Sequence, residues 1–378
     1  MSANPTARPE NAVHRGLAGI IFDETEITDI QGQKGELRYR GYAIEELTIE
    51  PSFERTAFLL LNGEWPTVEE GDAFRADLAA RRSLPADMIA LLGHLAKATP
   101  DDALRTALSA LDLGQHEGRA QMEIGLDLIA KVPSLIVAHH DLRSGREPTP
   151  PDPALDHASD ILRRLLGRDL TAIEQETINL DFVLHADHGA NASTFTARVA
   201  ASTGVDMVAA MTAALAAFTG PLHGGAVAAT SAMLAEIGSP EDVPSFVADR
   251  RRRSLPVYGF GHRVYRTRDP RSRPYYQALL TLSERAGDTG SIAILDALVE
   301  AMAPYRRMGI DVNVDLYATA LYRLLGLPAD LATAIFSAGR SIGWTTQILE
   351  QQANNILIRP RLRYAGPSAR TLSSERTT

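Results

Sequence analysis

Apolar residues recur at helical spacing along most of the chain. From about Ile44 onward they fall three or four residues apart, and short polar segments separate the runs. Thr99-Pro100 and Ser239-Pro240 each offer an N-cap, a proline and following acidic residues, which is a strong helix start. The pattern therefore predicts an almost wholly α-helical protein. The predicted helices include 118–131, 154–165, 171–186, 191–203, 205–218, 222–237, 272–286, 290–303, 314–325 and 329–350.

Strand-like patterns are confined to the beginning of the chain. Ile20-Ile21-Phe22 and Glu36-Leu37-Arg38-Tyr39 flank a turn-rich stretch with two glycines, so we expect one short N-terminal β-hairpin. The later segment 205–218 is apolar all round but too short to span a membrane. It predicts a helix at the centre of a large core.

A change in composition predicts an inserted domain. Gly220-Pro221 ends the apolar helix, and the chain up to Gly326-Leu327-Pro328 is richer in glycine, proline, arginine and histidine than the part before it. We therefore expect a larger helical domain from 1–220 plus 327–378, with a smaller one at 221–326.

Composition excludes several classes of function. The 378 residues contain no cysteine, which rules out disulfides, thiolate nucleophiles and cysteine-ligated metals. A formal charge of −9 argues against a nucleic-acid partner, and no apolar run reaches the length of a membrane span. The N-terminus has no signal-peptide pattern, so we expect a cytoplasmic protein. Phosphate-loop, serine-hydrolase and zinc-protease motifs are missing, and we expect no metal site.

Three segments place polar side chains in glycine-rich or apolar surroundings. In the first, GPLHGGA, His223 lies between a Gly-Pro stop and two glycines, just before another helix. A helix N-terminus favours a neutral imidazole, which can donate a hydrogen bond to a developing oxyanion. The alternative interpretation is an ordinary turn histidine.

The second segment runs from Gly259 through His262 and Arg266 to Arg271. Asp269 as N-cap and Pro270 as first residue predict a helix whose first turn carries Arg271, where guanidinium and backbone N–H groups can bind a carboxylate. The alternative is a solvated basic loop.

The third segment places Asn313 and Asp315 between valines at the start of an apolar helix. Burial there raises the pKa of a carboxylate toward that of a useful base, whereas N-capping by Asp315 is the structural alternative. Further on, Arg340 lies inside an apolar helix, where its charge needs a partner. Arg359 follows near the C-terminus.

Together these segments resemble the citrate synthases, in the short form of bacteria and archaea. The resemblance covers nearly the whole chain, in the family's order and spacing. It rests on GLAGIIFDETEITDIQGQKGELRYRGY, HADHGANASTF, GPLHGGA, GFGHRVYRTRDPR, NVDLY, AGRSIGWTTQILEQ and IRPR. It implies an all-α fold in which a smaller helical domain closes over the substrates of a large one.

The resemblance also implies roles for individual residues. His223, His262 and Asp315 match the catalytic residues. Oxaloacetate would be bound by His188, Arg271, Arg340 and Arg359 together with His262, with Arg359 coming from the partner chain of a homodimer. Acetyl-CoA would be a co-substrate and no cofactor would be tightly bound. The implied CoA contacts are Val257, Gly259, Gly261, Arg266 and Asn313.

Two departures from the family pattern lie beside the implied catalytic groups. Val227 and Ala228 replace the usual Asn and Glu after GPLHGGA, and Asp311-Val312 replace Tyr-Pro before NVD. The leading hypothesis is a citrate synthase. The alternatives are a 2-methylcitrate synthase using propionyl-CoA, since one methylene changes discrimination by only ~1–3 kcal/mol, and a catalytically weak paralogue that binds CoA or a dicarboxylate.

Overall fold

A computed structural model describes residues 13–17, 19–111 and 118–370 of the chain. The first eight helices are α1 (Ile44–Leu47), α2 (Phe53–Asn62), α3 (Val68–Ala80), α4 (Ala86–His94), α5 (Pro100–Ala110), α6 (Gln121–Arg143), α7 (His157–Leu166) and α8 (Ala172–His185). The other eight are α9 (Ala192–Ser202), α10 (Met207–Phe218), α11 (Ala226–Glu236), α12 (Val243–Arg252), α13 (Ser272–Ala286), α14 (Thr289–Ala301), α15 (Val314–Leu324) and α16 (Ala332–Ala353). The predicted helical fold is confirmed.

A small antiparallel sheet replaces the predicted hairpin. Its strands are β1 (Thr28–Gln31), β2 (Glu36–Tyr39) and β3 (Tyr42–Ala43), in the order β1-β2-β3. The predicted strand at Ile20-Ile21-Phe22 is wrong, and Ile21 is 90% exposed. The actual partner of β2 is the polar segment β1, which lies against the core because the Thr28 hydroxyl donates to the buried Asp187 carboxylate at 2.6 Å.

Helix α16 occupies the centre of the larger helical layer. Nearly all its residues are buried, and it packs against α2, α5, α6, α8, α9 and α10. The segment 205–218 was expected at this central position, but α10 keeps Ala209 and Ala216 exposed on one side. The sequence of α10 is apolar because it is rich in alanine, and the small alanine side chains on one side of the helix are exposed to solvent.

Among the helix boundaries that differ from the sequence prediction, two involve proline. Helix α6 does not end at 131 but continues through Pro133, which is buried. The Ile129 carbonyl, four residues before that proline, faces the buried His157 ring. The Ser239-Pro240 signal starts a 3₁₀ turn (Pro240–Asp242), and α12 follows it directly. The Thr99 signal is confirmed, because its hydroxyl accepts the Asp102 N–H at 3.2 Å.

The segment 221–326 contains α11 to α15. Within the described residues, no helix is long and apolar enough to cross a bilayer.

Candidate active site

His223 lies in the tight turn between α10 and α11. Two glycines make this turn possible by close approach of the backbone. A Cβ on Gly224 would lie 2.4 Å from the Phe218 ring, and a Cβ on Gly225 would lie 2.9 Å from the Gly220 carbonyl oxygen. The His223 amide donates to that same carbonyl at 2.9 Å, and the imidazole packs edge-on against Phe218. The turn therefore fixes where the imidazole stands.

The ring of His223 meets the N-terminus of α9, not that of the helix that follows it. Its Nε2 accepts the backbone N–H of Ser193 at 3.3 Å. The Ser193 hydroxyl, 2.9 Å from the same nitrogen, donates to Asn191 Oδ1 and accepts the Trp344 indole N–H. Burial, reinforced by the charge of Arg340, lowers the pKa of His223 to about 4. Asn191 Oδ1 also lies 3.2 Å from Nε2, but because the Ser193 N–H can only donate to this nitrogen, the neutral ring carries its hydrogen on Nδ1, which is a donor.

The loop that carries His262 is tied to the chain just before α15. Gly261 N–H donates to the Asp311 carbonyl at 2.7 Å, and Asn313 N–H donates to the Gly259 carbonyl at 3.0 Å. Gly259 has a φ of +82°, and a Cβ there would lie 2.7 Å from Leu316 Cβ. Only glycine fits this crossing.

His262 has its tautomer fixed by backbone groups. Its Nδ1 accepts N–H bonds from Val264 at 3.0 Å and Tyr265 at 3.1 Å. Burial lowers the pKa of His262 to about 4. The charge of Asp269 opposes this shift, and that of Arg271 adds to it. A neutral imidazole whose Nδ1 accepts must carry its hydrogen on Nε2, which is therefore a second donor at the site.

Asp315 lies in the first turn of α15 but does not cap the helix. The N-cap is Asn313, whose Oδ1 accepts the Asp315 N–H at 3.0 Å, so the structural alternative of an Asp315 cap is wrong. The Asp315 carboxylate is therefore not used as the helix cap. Burial raises its pKa to about 6, although Arg271 opposes this shift. A carboxylate with a raised pKa is a stronger base.

Two buried arginines lie near these groups. Arg271 forms a fork with Asp269, through Nε at 3.0 Å and Nη2 at 2.7 Å, which keeps its pKa above the ordinary value despite burial. The helix spans Ser272–Ala286, as the predicted range has it, but its N-cap is Arg271 and not Asp269, so Arg271 does not lie in its first turn. The carboxylate in the Arg271 fork is that of Asp269 itself. Among the described residues no carboxylate is bonded to Nη1 of Arg271, so this atom can bind another carboxylate.

Arg340 lies on α16 with its guanidinium over the Phe336 ring, 5.3 Å from the centroid. Its Nε donates to the His185 carbonyl. Burial lowers its pKa to about 10, and the nearby Asp187 carboxylate opposes that shift. It stays charged at neutral pH and acts electrostatically on His188, His223 and Asp315, which places these predicted residues around one charge.

His188 follows α8 and is buried. Its Nε2 lies 3.1 Å from the Tyr265 hydroxyl, and its ring centroid is 5.2 Å from that of His262. Burial, with the charge of Arg271, holds its pKa well below the usual value. Two neutral imidazoles and two arginines therefore converge here, a combination suited to a dicarboxylate with a polarisable carbonyl.

The predicted CoA contacts differ in their exposure to solvent. Val257 is buried and Arg266 is exposed, with its backbone N–H bonded to Gly32 O at 3.0 Å. The nearby arginine run 250–253 has mostly structural partners. Arg250 donates to the Pro256 carbonyl, and Arg252 and Arg253 pair with Asp249.

Arg359 is not brought to the site within this chain. It lies in the extended segment after α16 and is exposed.

Sequence reasoning missed the residues that hold the histidines. Asn191, Ser193, Tyr265 and Trp344 orient the rings, and Asp187 anchors the His188 turn by accepting Gly189 N–H at 3.0 Å. One signal was available, because Asn191-Ala-Ser reads as a helix N-cap three residues after His188.

The residues that depart from the family pattern differ in burial and in their hydrogen-bond partners. Val227 is buried, and its carbonyl accepts the Thr319 hydroxyl at 3.4 Å, while Ala228 is exposed on α11. Asp311 pairs with Arg306 at 3.3 Å, and its carbonyl supports the His262 loop. The described residues hold no cluster of His, Asp and Glu that could bind a metal.

Comparison with known proteins gives one family. The family model for the citrate synthase C-terminal domain matches residues 16–361. The citrate synthase of Haloferax volcanii is 39% identical over 93% of this chain and 95% of its own. The citrate/2-methylcitrate synthase of Bacillus subtilis is 35% identical over 95% and 98%. A ternary complex of Thermoplasma acidophilum citrate synthase with carboxymethyl-CoA and oxaloacetate superposes with a TM-score of 0.89 at 28% identity, covering 96% and 98%.

Proposed function

Because the chain belongs to the citrate synthase family, we propose that it condenses acetyl-CoA with oxaloacetate and hydrolyses the resulting thioester to citrate and CoA. The proposal rests on one observation, which is that the candidate site combines a possible base with two neutral hydrogen-bond donors. Asp315 is a carboxylate of raised pKa, and His223 and His262 are neutral imidazoles that each keep one N–H free.

In the first step, Asp315 removes a proton from the acetyl methyl group. This proton is more than ~15 pKa units less acidic than a carboxylic acid, which amounts to roughly 20 kcal/mol. The Nδ1–H of His223 donates to the thioester oxygen as negative charge develops there. Since the donor is already oriented by Ser193, it stabilises the enolate without reorganisation.

In the second step, the enolate carbon attacks the ketone carbon of oxaloacetate. The Nε2–H of His262 donates to the ketone oxygen, and that oxygen gains a proton as the new C–C bond forms. Arg271, Arg340 and His188 bind the carboxylates and keep the ketone facing the enolate. Water then cleaves the citryl thioester, releasing citrate and CoA.

Arg266 and the backbone of Val257, Gly259 and Gly261 would bind CoA. Asn313, placed in the same group by the resemblance, holds the His262 loop through Nδ2 to Gly261 O at 2.8 Å. The part 221–326 would close over the larger domain and exclude water from the enolate.

The proposed assembly is a homodimer in which Arg359 enters the partner's site. Arg359 lies between apolar side chains that are open to solvent, with Ile356 70% and Leu362 99% exposed. An extended arm with such residues gains by packing on a second copy.

The test is release of CoA thiol by the purified protein with oxaloacetate, comparing acetyl-CoA with propionyl-CoA. We expect faster turnover with acetyl-CoA. A preference for propionyl-CoA would favour 2-methylcitrate synthesis, the activity included in the name of the Bacillus subtilis relative. If neither thioester reacts while CoA still raises the melting temperature, the weak-paralogue hypothesis replaces the proposal.

A further inference from the structure

Tyr265 contacts both histidines of the proposed oxaloacetate site. Its backbone N–H donates to His262 Nδ1 at 3.1 Å, and its hydroxyl lies 3.1 Å from His188 Nε2. Its ring centroid is 4.7 Å from the His262 ring and 5.5 Å from the His188 ring. The side chain is completely buried. One residue thus joins two imidazoles that come from different parts of the chain.

We propose that Tyr265 is a positioning residue that holds His188 and His262 in the orientation that receives oxaloacetate. This inference rests on the proposed function, since it names what prepares the dicarboxylate site for its substrate.

The hydroxyl matters because His188 has no other side-chain hydrogen-bond partner within the described part of the chain. A neutral imidazole has one donor and one acceptor, so when Nε2 accepts the Tyr265 O–H the ring hydrogen lies on Nδ1, where it can donate to a carboxylate of oxaloacetate. Without the phenol, the buried imidazole would lose this side-chain restraint and turn more freely.

Tyr265 is itself held in place. The neighbouring Arg266 N–H donates to Gly32 O at 3.0 Å. A Cβ on Gly32 would lie 2.5 Å from the Val264 carbonyl oxygen, so the sheet turn packs directly on this loop. The backbone at Tyr265 therefore cannot move away unless the β1–β2 turn moves too. A firmly placed Tyr265 restrains His188 through its hydroxyl and His262 through its backbone N–H.

The test is Tyr265→Phe, which keeps the ring and the backbone bond to His262 but removes the hydroxyl. We expect KM and Kd for oxaloacetate to rise about 2- to 10-fold, the size of one net hydrogen bond, with KM for acetyl-CoA unchanged. In protein labelled with ¹⁵N-histidine, the ring nitrogens of His188 should shift while those of His262 stay in place.

Tyr276→Phe is the matched control. Its hydroxyl is bonded to Asp296 at 2.8 Å, outside the site, so removing it should change neither oxaloacetate binding nor the His188 signals. An unchanged oxaloacetate Kd in Tyr265→Phe, or unchanged His188 ring signals, overturns the inference. Lack of CoA release by the wild-type protein would instead overturn the proposed function, while the ring signals would still decide whether Tyr265 holds His188.

Discussion

Asn313 and Asp315 divide two tasks at the start of one helix. Asn313 Oδ1 accepts the Asp315 N–H at 3.0 Å and so caps α15, while its Nδ2 donates to the Gly261 carbonyl at 2.8 Å. Because Asn313 supplies the cap, the Asp315 carboxylate needs no structural partner. The same amide also links the helix that carries Asp315, the proposed base, to the loop that carries His262.

Two substitutions of Asn313 separate the cap from the link to the loop. Asn313→Ser keeps a good N-cap but loses the donor to Gly261, whereas Asn313→Ala loses both. We expect Asn313→Ala to lower the free energy of unfolding by about 1 kcal/mol more than Asn313→Ser does, since only Asn313→Ala also loses the N-cap. Both should lower kcat, because the His262 loop loosens. If Asn313→Ser has wild-type kcat, the amide is only a cap.

The three candidate segments could be identified from the sequence because a histidine, arginine or aspartate in glycine-rich or apolar surroundings has few structural explanations. The residues that orient them could not, because Ser193 and Trp344 meet His223 only after α9 and α16 pack. The strand at 20–22 was wrong for a related reason. The prediction relied on the pattern of hydrophobic residues, but β1 is polar. It is held against the core by the hydrogen bond from the Thr28 hydroxyl to the buried Asp187 carboxylate.

Asp315→Asn should separate activity from stability. Loss of the general base should reduce kcat by at least about 10²-fold. The folded-state pKa is raised to about 6, so ionised Asp315 destabilises the fold above that pH. The variant should therefore have a melting temperature equal to or above that of the wild type at pH 8, with the difference disappearing by pH 4. A lower melting temperature at pH 8 would contradict burial as the cause of the shift.

The same pKa predicts the acid limb of the pH profile. Asp315 must be ionised to act as a base, so kcat should fall as pH decreases through about 6. His223 and His262, with pKa values of about 4, stay neutral throughout that range. A limb near 4 would contradict the raised pKa of Asp315, because an ordinary carboxylate and the two histidines all titrate there.

His262→Asn and His262→Ala test how His262, the proposed donor to the ketone, is oriented. An Asn oxygen can still accept the Val264 and Tyr265 N–H groups but offers no Nε2–H. We expect kcat to fall about 10²- to 10³-fold in both variants. His262→Ala should also have a lower melting temperature, because two N–H groups lose their acceptor. Equal stability of the two variants would argue against this role of Nδ1.

Gly224→Ala should disturb the His223 turn. The added Cβ would lie 2.4 Å from the Phe218 ring, and such overpacking costs about 1–3 kcal/mol. We expect lower kcat as well as lower stability, because the ring against which His223 packs must shift. Gly220→Ala is the control in the same turn, since its Cβ would meet only the Ala217 carbonyl oxygen, at 3.3 Å. Equal effects of the two variants would contradict the packing argument.

Arg359 can be tested by mixing two inactive chains. If it enters the partner's site, a dimer of one Arg359→Ala chain and one Asp315→Asn chain has one site with both defects and one site with neither. Random pairing after co-expression makes half of the dimers mixed, so about a quarter of wild-type activity should return. If Arg359 acts within its own chain, every site keeps a defect and no activity returns. The exposed position of Arg359 near Leu362 favours the first outcome. The two variants, each expressed and purified separately, provide the baseline activity.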